Sequence, residues 1–318
     1  MKVTDHIKQA KSTLFSIEIL PPLKGKSMQS IFEGIDPLME FKPSFVDVTY
    51  HREEFIYNKL PDGGFEKVTT RKRPGTVGIC AAIMNKYKID AVPHIICGGF
   101  TKEETENALI DLHFLGIDNV LALQGDFIKG TEPGFVPTPN GHPFAVDLVK
   151  QVTKMNEGKY LHSELEGQSE TNFCTGVAGY PEKHVDAPNF DSDIAFLKAK
   201  IEAGAEYIVT QMFFDNSKYF EFVDKCKANG INVPIIPGIK ILSTKKQSSI
   251  LPEIFSIELP ETLMKEINKC EDNKQVKEVG IEWCIQQSKE LMQKNVPCLH
   301  YYTMGKSEVT KRVASEVF

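Results

Sequence analysis

The sequence predicts an α/β protein, a (β/α)8 TIM barrel in a single domain, and three observations lead there. Eight short apolar, β-branched or aromatic runs recur along the 318 residues, at 15–20, 45–50, 91–97, 119–123, 175–180, 207–213, 233–239 and 297–303. Longer segments with helical periodicity lie between them. Most runs read as buried on both faces, as parallel strands under helices must be, and eight alternations favour a closed barrel over an open doubly wound sheet.

The first run, Phe15-Ser16-Ile17-Glu18-Ile19-Leu20, ends at Pro21-Pro22, which cannot extend a central strand. Alternation sets Phe15, Ile17 and Ile19 on one face and Ser16, Glu18 and Leu20 on the other. A carboxylate there is costly to bury, so Glu18 pairs, meets water or does chemistry. Other runs also carry polar groups near their ends. The second ends at Thr49-Tyr50, the third carries His94, and the fourth ends at Gln124-Gly125-Asp126. Tyr180 ends the fifth with His184 beyond it, Gln211 lies in the sixth, and Tyr302 is near the end of the eighth. In a barrel such groups converge on one mouth. Taken singly, each has a structural reading: a rim ion pair for Glu18, a turn for Gly125-Asp126, a hydrogen-bonded core histidine for His94, and a backbone partner for Gln211.

A short helix is expected near the N-terminus. Thr101-Lys102-Glu103-Glu104 is a capping-box pattern opening a helix that Gly116 closes. Asp191 or Ser192 can cap a second, with Ile194, Leu197 and Ile201 at helical spacing before Gly204. Asp215 opens a third, ending at Asn229-Gly230. Two segments break the rhythm. Residues 127–143 hold Pro133, Pro137, Pro139 and Pro143 with Gly130, Gly134 and Gly141, and read as an ordered lid loop on the active-site face. Residues 157–173 are polar and enter the fifth strand from the opposite face. Residues 259–295 read as polar helix packed outside the barrel.

Composition excludes several classes. The chain is 41% hydrophobic and 25% charged, with no apolar run approaching the roughly 18 residues of a membrane span. Residues 1–13 lack the apolar stretch of a secretory signal. Seven scattered cysteines without a CxxC pair argue against a disulfide framework or a zinc site and fit a reducing cytoplasm. A formal charge of −6 gives no footprint for nucleic acid, and Arg71-Lys72-Arg73 reads as solvated loop. The GxG core of a dinucleotide fingerprint is absent. Gly25-Lys26-Ser27 and Gly305-Lys306-Ser307 look like P-loop tails, but Leu20 and His300 replace the required earlier glycine. HExxH and GxSxG are also missing.

The strand-end motifs together resemble methylenetetrahydrofolate reductases. The resemblance rests on Ser-Ile-Glu-Ile-Leu-Pro-Pro (16–22), Val-Asp-Val-Thr-Tyr (46–50), Pro-His (93–94), Ala-Leu-Gln-Gly-Asp (122–126) and Ala-Val-Asp-Leu-Val (145–149). It continues through Val-Ala-Gly-Tyr-Pro (177–181), Ala-Gly-Ala (203–205), Thr-Gln-Met-Phe-Phe-Asp (210–215), Ile-Ile-Pro-Gly-Ile (235–239) and Tyr-Thr-Met (302–304). It implies FAD held noncovalently at the C-terminal face of the strands, with NADH or NADPH and methylenetetrahydrofolate reacting in turn. By position, Glu18 matches the general acid and Asp126 the aspartate near flavin and pterin. Thr49, Tyr50, His94, Gln124, Gly125, Asp126, Ala145, Tyr180, His184, Asp193 and Lys200 match positions lining FAD. Gln211, Gln247 and Lys306 match folate contacts. No metal is implied. The resemblance also implies a cytoplasmic homo-oligomer of bacterial type, limited to the catalytic domain.

Four departures stand out. Gln124 and Lys306 replace arginines common in the family, Leu251 stands where some members have Phe, and Ile-Leu-Pro-Pro replaces Phe-Phe-Pro-Pro. Two other readings are a proline-dehydrogenase-like FAD barrel and a folate- or pterin-binding barrel without redox activity. Reduction of bound FAD by proline discriminates the first, and folate binding without flavin the second.

Overall fold

The computed structural model describes residues 1–126, 134–162, 168–305 and 307–318. Its strands are β1 (Leu14–Ile19), β2 (Phe45–Val48), β3 (Glu54–Lys59), β4 (Phe65–Thr70), β5 (Asp90–Ile96), β6 (Asn119–Leu123), β7 (Cys174–Gly179), β8 (Tyr207–Thr210), β9 (Ile235–Ile236), β10 (Gly238–Ile239) and β11 (Cys298–Tyr302). Nine of them form one sheet in the order β10-β11-β1-β2-β5-β6-β7-β8-β9, with every neighbouring pair parallel. The two ends of that sheet, β9 and β10, are halves of one strand broken at Pro237. A proline cannot donate to the ladder, so the chain pairs with β8 before it and with β11 after it, and the sheet closes as the predicted barrel.

Each strand's period of two sorts its side chains between two cores. Phe15, Ile17 and Ile19 of β1 and Val46 and Val48 of β2 pack outward against the helices. Phe45, Val92, Leu121, Cys174, Tyr207, Val209, Ile236 and Cys298 fill the interior. The helix Val3–Gln9 joins that interior cluster: Val3 is fully buried in it, and its backbone N–H donates to Asn119 Oδ1 at 2.8 Å.

Helix ends follow their local chemistry. Thr101 caps Lys102–Phe114 with the full capping box to Glu104, and Gly116 follows at φ +70°. Asp215 caps Asn216–Ala228 as expected. The helix Phe190–Glu202 is instead capped by Asn189, whose side chain accepts from Ser192 N, so Asp191 and Ser192 lie in its first turn. The outer helical region is two helices, Glu261–Lys269 and Asn273–Gln293.

The β3–β4 ribbon was not among the expected runs. It leaves the barrel after β2, turns at Pro61-Asp62-Gly63-Gly64 with Gly63 at φ +87°, and is largely exposed on both faces. Arg71 pairs with Glu53 and Lys72 with Glu54 at its base, so the basic cluster is exposed as expected but ion-paired. Several strands also stop earlier than their apolar runs suggest: β2 ends at Val48 and β8 at Thr210, so Thr49, Tyr50 and Gln211 lie just past strand ends. Part of the expected lid, residues 127–133, lies outside the described residues.

Inside the barrel, Gly176 lies where Tyr207 crosses from the next strand. A Cβ there would stand 2.3 Å from Tyr207 Cζ. Gly176→Ala is therefore expected to cost about 1–3 kcal/mol of unfolding free energy by overpacking. Urea titration checks this, and unchanged stability would contradict the packing described.

Candidate active site

Beside its apolar cluster the barrel interior holds a group of buried polar side chains. β1 and β2 bring Glu18 and Asp47 into register, Cα beside Cα, and both side chains point inward because Val46, Val48, Ile17 and Ile19 point out. β5 adds His94. Its Nε2 stands 3.5 Å from Glu18 Oε2 and 3.5 Å from Asp47 Oδ2. The Glu18 side chain keeps 12% of its surface exposed, and that of Asp47 only 1%. Of the two acids, Glu18 is thus the one a ligand can reach. β11 supplies His300, whose Nδ1 lies 2.8 Å from Ser16 Oγ on β1. The Glu18 carbonyl accepts from Thr303 N at 3.2 Å and Thr303 Oγ1 at 2.8 Å, which fixes the backbone beneath the acid.

Burial dominates the electrostatics of this layer. It pushes Glu18 up to about 7, with His94 and Lys240 pulling down and Asp47 pushing up. Asp47 is likewise raised to about 7 by burial, opposed by His300. Both imidazoles are pushed below the usual histidine value by the same desolvation. Near neutral pH the layer therefore holds neutral histidines beside carboxyl groups that are partly protonated.

The other sequence-derived residues lie just past strand ends or in the helices Ala145–Asn156, Phe190–Glu202 and Gln247–Phe255. Thr49 donates through its backbone to Ile19 O at 3.1 Å, and the Tyr50 ring packs 5.0 Å from that of Phe100. Gln124 Nε2 donates to Pro143 O at 3.2 Å. Gly125 adopts φ +87°, and a Cβ there would stand 3.1 Å from Ile96 Cβ, so the turn before exposed Asp126 needs glycine. Ala145 is the first residue of the helix Ala145–Asn156, whose N-cap, Phe144, makes no side-chain capping bond. Tyr180 and His184 are in edge contact at 4.5 Å, and Asp193 accepts from His184 N at 2.8 Å. Lys200 Nζ donates to Ala178 O at 2.7 Å, and burial lowers its pKa to about 8. Gln211 Oε1 accepts from Met212 N, and Gln247 Oε1 from Ser243 N and Thr244 N. Lys306 lies outside the described residues.

The sequence profile of the methylenetetrahydrofolate reductase family matches residues 2–317. The chain belongs to that family. Methylenetetrahydrofolate reductase 1 of Schizosaccharomyces pombe is 30% identical over 98% of this chain and 48% of its own length. Methylenetetrahydrofolate reductase (NADH) 1 of Arabidopsis thaliana is 31% identical over 96% of this chain and 49% of its own length. The chain thus spans about half the length of these reductases. The 5,10-methylenetetrahydrofolate reductase of Escherichia coli is 28% identical over 93% of this chain and 87% of its own. A solved structure of a Clostridium thermocellum protein, described as binding two copies of 5-methyl-5,6,7,8-tetrahydrofolic acid, aligns over 98% of this chain and 97% of its own. Its TM-score is 0.56 at 15% identity, a likeness of fold.

Within this reductase fold, the sequence-derived residues separate into two groups. Glu18 and His94 meet in the interior layer, while Thr49, Tyr50, Gln124, Gly125, Asp126, Tyr180 and Gln211 follow the ends of β2, β6, β7 and β8. Asp47 and His300, which were not among the residues expected from the sequence, join the interior layer. Asp47 carried the same signal as Glu18, a charge in an apolar run, and alternation aligns it with Phe45.

The raised Glu18 pKa has a stability consequence. Because the folded state binds this proton more tightly than the unfolded chain, the wild type loses stability as pH rises from about 4.5 to about 7. Glu18→Gln carries no such cost. Relative to wild type it is expected to gain up to roughly 3 kcal/mol between pH 5 and pH 8, measured by urea unfolding. A pH-independent difference would contradict the raised pKa.

Proposed function

We propose that this chain reduces 5,10-methylenetetrahydrofolate to 5-methyltetrahydrofolate with NADH or NADPH, in alternating half-reactions through FAD at the barrel mouth. The observation that carries the reading is Glu18, a carboxyl raised to about 7 and reachable from the C-terminal end of the barrel in a member of this family. An acid with that pKa can give a proton near neutral pH, where an ordinary glutamate is already ionised. Both nicotinamides occur among the names of relatives: NADH for the Arabidopsis reductase and NADPH for a probable reductase of Caenorhabditis elegans.

The residues bordering the mouth fit FAD. The helix starting at Ala145 lacks a side-chain cap, so its first backbone N–H groups suit a pyrophosphate. Lys200 brings a half-buried ammonium, with Asp193 as the one charge raising its pKa. Thr49, Tyr50, His94, Gln124, Gly125, Asp126, Tyr180 and His184 would line the rest. Bound there, FAD supplies the carrier that takes hydride from the nicotinamide and gives it to the folate.

The chain's own residues supply position and protons. Glu18 gives its proton to the folate nitrogen that leaves the methylene bridge, opening the five-membered ring to the iminium that accepts hydride. Asp126, the exposed acid after Gly125, would sit near flavin and pterin and fix the substrate. Gln211 and Gln247 both have their carbonyl oxygens engaged by backbone N–H groups, leaving their amide N–H groups to donate to folate. Lys306 would meet the folate carboxylates as a point charge.

Glu18→Gln is expected to retain FAD and its reduction by NADH or NADPH while losing folate turnover at least about 100-fold. Stopped-flow absorbance separates the two half-reactions, and near-normal folate turnover would return Glu18 to a structural role. Lys200→Met is expected to weaken FAD binding roughly tenfold, about 1.4 kcal/mol, by removing the ammonium from the pyrophosphate. Equilibrium fluorescence titration with FAD checks this, and unchanged affinity would remove Lys200 from the site.

A further inference from the structure

Asp47 is the second acid of the interior layer, and the chemistry proposed above leaves it unused. Both of its oxygens are buried without a hydrogen-bond partner among the described residues, as are His94 Nε2, His300 Nε2 and the Tyr207 hydroxyl. The charge that bears on this acid is His300, on β11. Asp47 in turn acts on Glu18 beside it on β1, on Tyr207 of β8, on Cys298 and Tyr302 of β11 and on Cys80 of the helix Thr76–Tyr87, while His94 of β5 stands 3.5 Å away. Lys240 acts on Glu18. A fully ionised Asp47 would be an uncompensated charge in a closed interior, which costs several kcal/mol in general. A proton held there removes that cost, and a polar chamber of this kind has partners for ordered water.

The geometry around His94 gives that proton somewhere to go. A single nitrogen, Nε2, is equidistant at 3.5 Å from one oxygen of Asp47 and one of Glu18. We propose that Asp47 is a proton store for Glu18, returning a proton through His94 Nε2 after Glu18 has given its own to substrate. The inference rests on the reductase reading for what Glu18 protonates. In the return step the Asp47 O–H bond breaks and His94, neutral with its hydrogen on Nδ1, takes the proton at Nε2. The same N–H bond then breaks as a Glu18 O–H bond forms. No electrons change hands, and Asp47 is left as the carboxylate until water entering at the mouth restores its proton. Asp47 is thus a positioning residue: it acts through His94 and touches neither folate nor flavin.

The test is infrared titration of protonated carboxyl groups between pH 5 and 9, in a Glu182→Gln background because burial raises Glu182 to about 7 as well. Glu18→Gln should leave one carboxyl band that titrates near neutral pH and is lost when Asp47→Asn is added. Asp47→Asn alone should move the Glu18 midpoint down by about one pH unit, because a neighbouring carboxylate no longer opposes its ionisation. In turnover, Asp47→Asn should leave nicotinamide-driven flavin reduction and the folate KM unchanged while lowering steady-state folate kcat roughly tenfold. Asp47→Glu should recover part of it. Absence of the second band in Glu18→Gln, or a Glu18 midpoint unmoved by Asp47→Asn, overturns the proposal. The Glu18→Gln band also decides the matter if Asp47→Asn does not fold. Because the infrared arm needs neither folate nor FAD, shared protons without folate turnover would end the reductase reading and leave the coupling standing. Full turnover with uncoupled carboxyls would do the reverse.

Discussion

Two carboxyl groups side by side on adjacent strands, inside a barrel that shuts out most water, set the terms for everything at this site. Closure of the sheet at Pro237 makes the interior, and the register of β1 with β2 sets Glu18 beside Asp47 in it. Desolvation then outweighs the neighbouring imidazoles, and both acids keep protons to about pH 7. His94 and His300 respond oppositely to the same burial and stay neutral. The layer is therefore close to uncharged where most carboxylates are ionised. Within the layer Glu18 retains a little exposure while Asp47 has almost none.

Much of the fold was legible because parallel strands buried on both faces write themselves as apolar runs. Seven of the eight runs became strands with their ends shifted by a few residues, and the seventh run became β9 and β10, split at Pro237. The β3–β4 ribbon escaped because its apolar run is short, Phe55-Ile56-Tyr57, is flanked by Glu53-Glu54 and Asn58-Lys59, and is exposed, as is Phe65 opposite. Its Asp-Gly-Gly turn was the available signal. The Asn189 cap was missed for a different reason. Three candidate capping residues follow one another closely, and only the backbone's entry angle decides among them.

The interior layer was legible where a polar side chain interrupts an apolar run, which flagged Glu18 and His94. The same signal stands at Asp47, in Phe45-Val46-Asp47-Val48, within a stretch that also carries the family resemblance. What sequence could not supply is register. Pairing of Glu18 with Asp47 across β1 and β2 depends on where the intervening 25-residue connection returns the chain, and a shift of one residue would turn Asp47 outward. His300 was hidden for a related reason. It looked like a failed P-loop position, whereas its strand turns it inward onto Ser16.

These features form one causal line from pattern to chemistry. Alternation aims Glu18 inward, register gives it Asp47, closure dries the pair, and the dry pair makes a glutamate that can act as an acid at neutral pH. Under the proposed function, the most direct measurement of that claim is the pH dependence of methylenetetrahydrofolate reduction, followed in single turnovers of protein loaded with FAD and reduced beforehand. The account predicts a rate that is flat below about pH 7 and falls tenfold per pH unit above it. A rate that stays constant from pH 6 to pH 9 would contradict it.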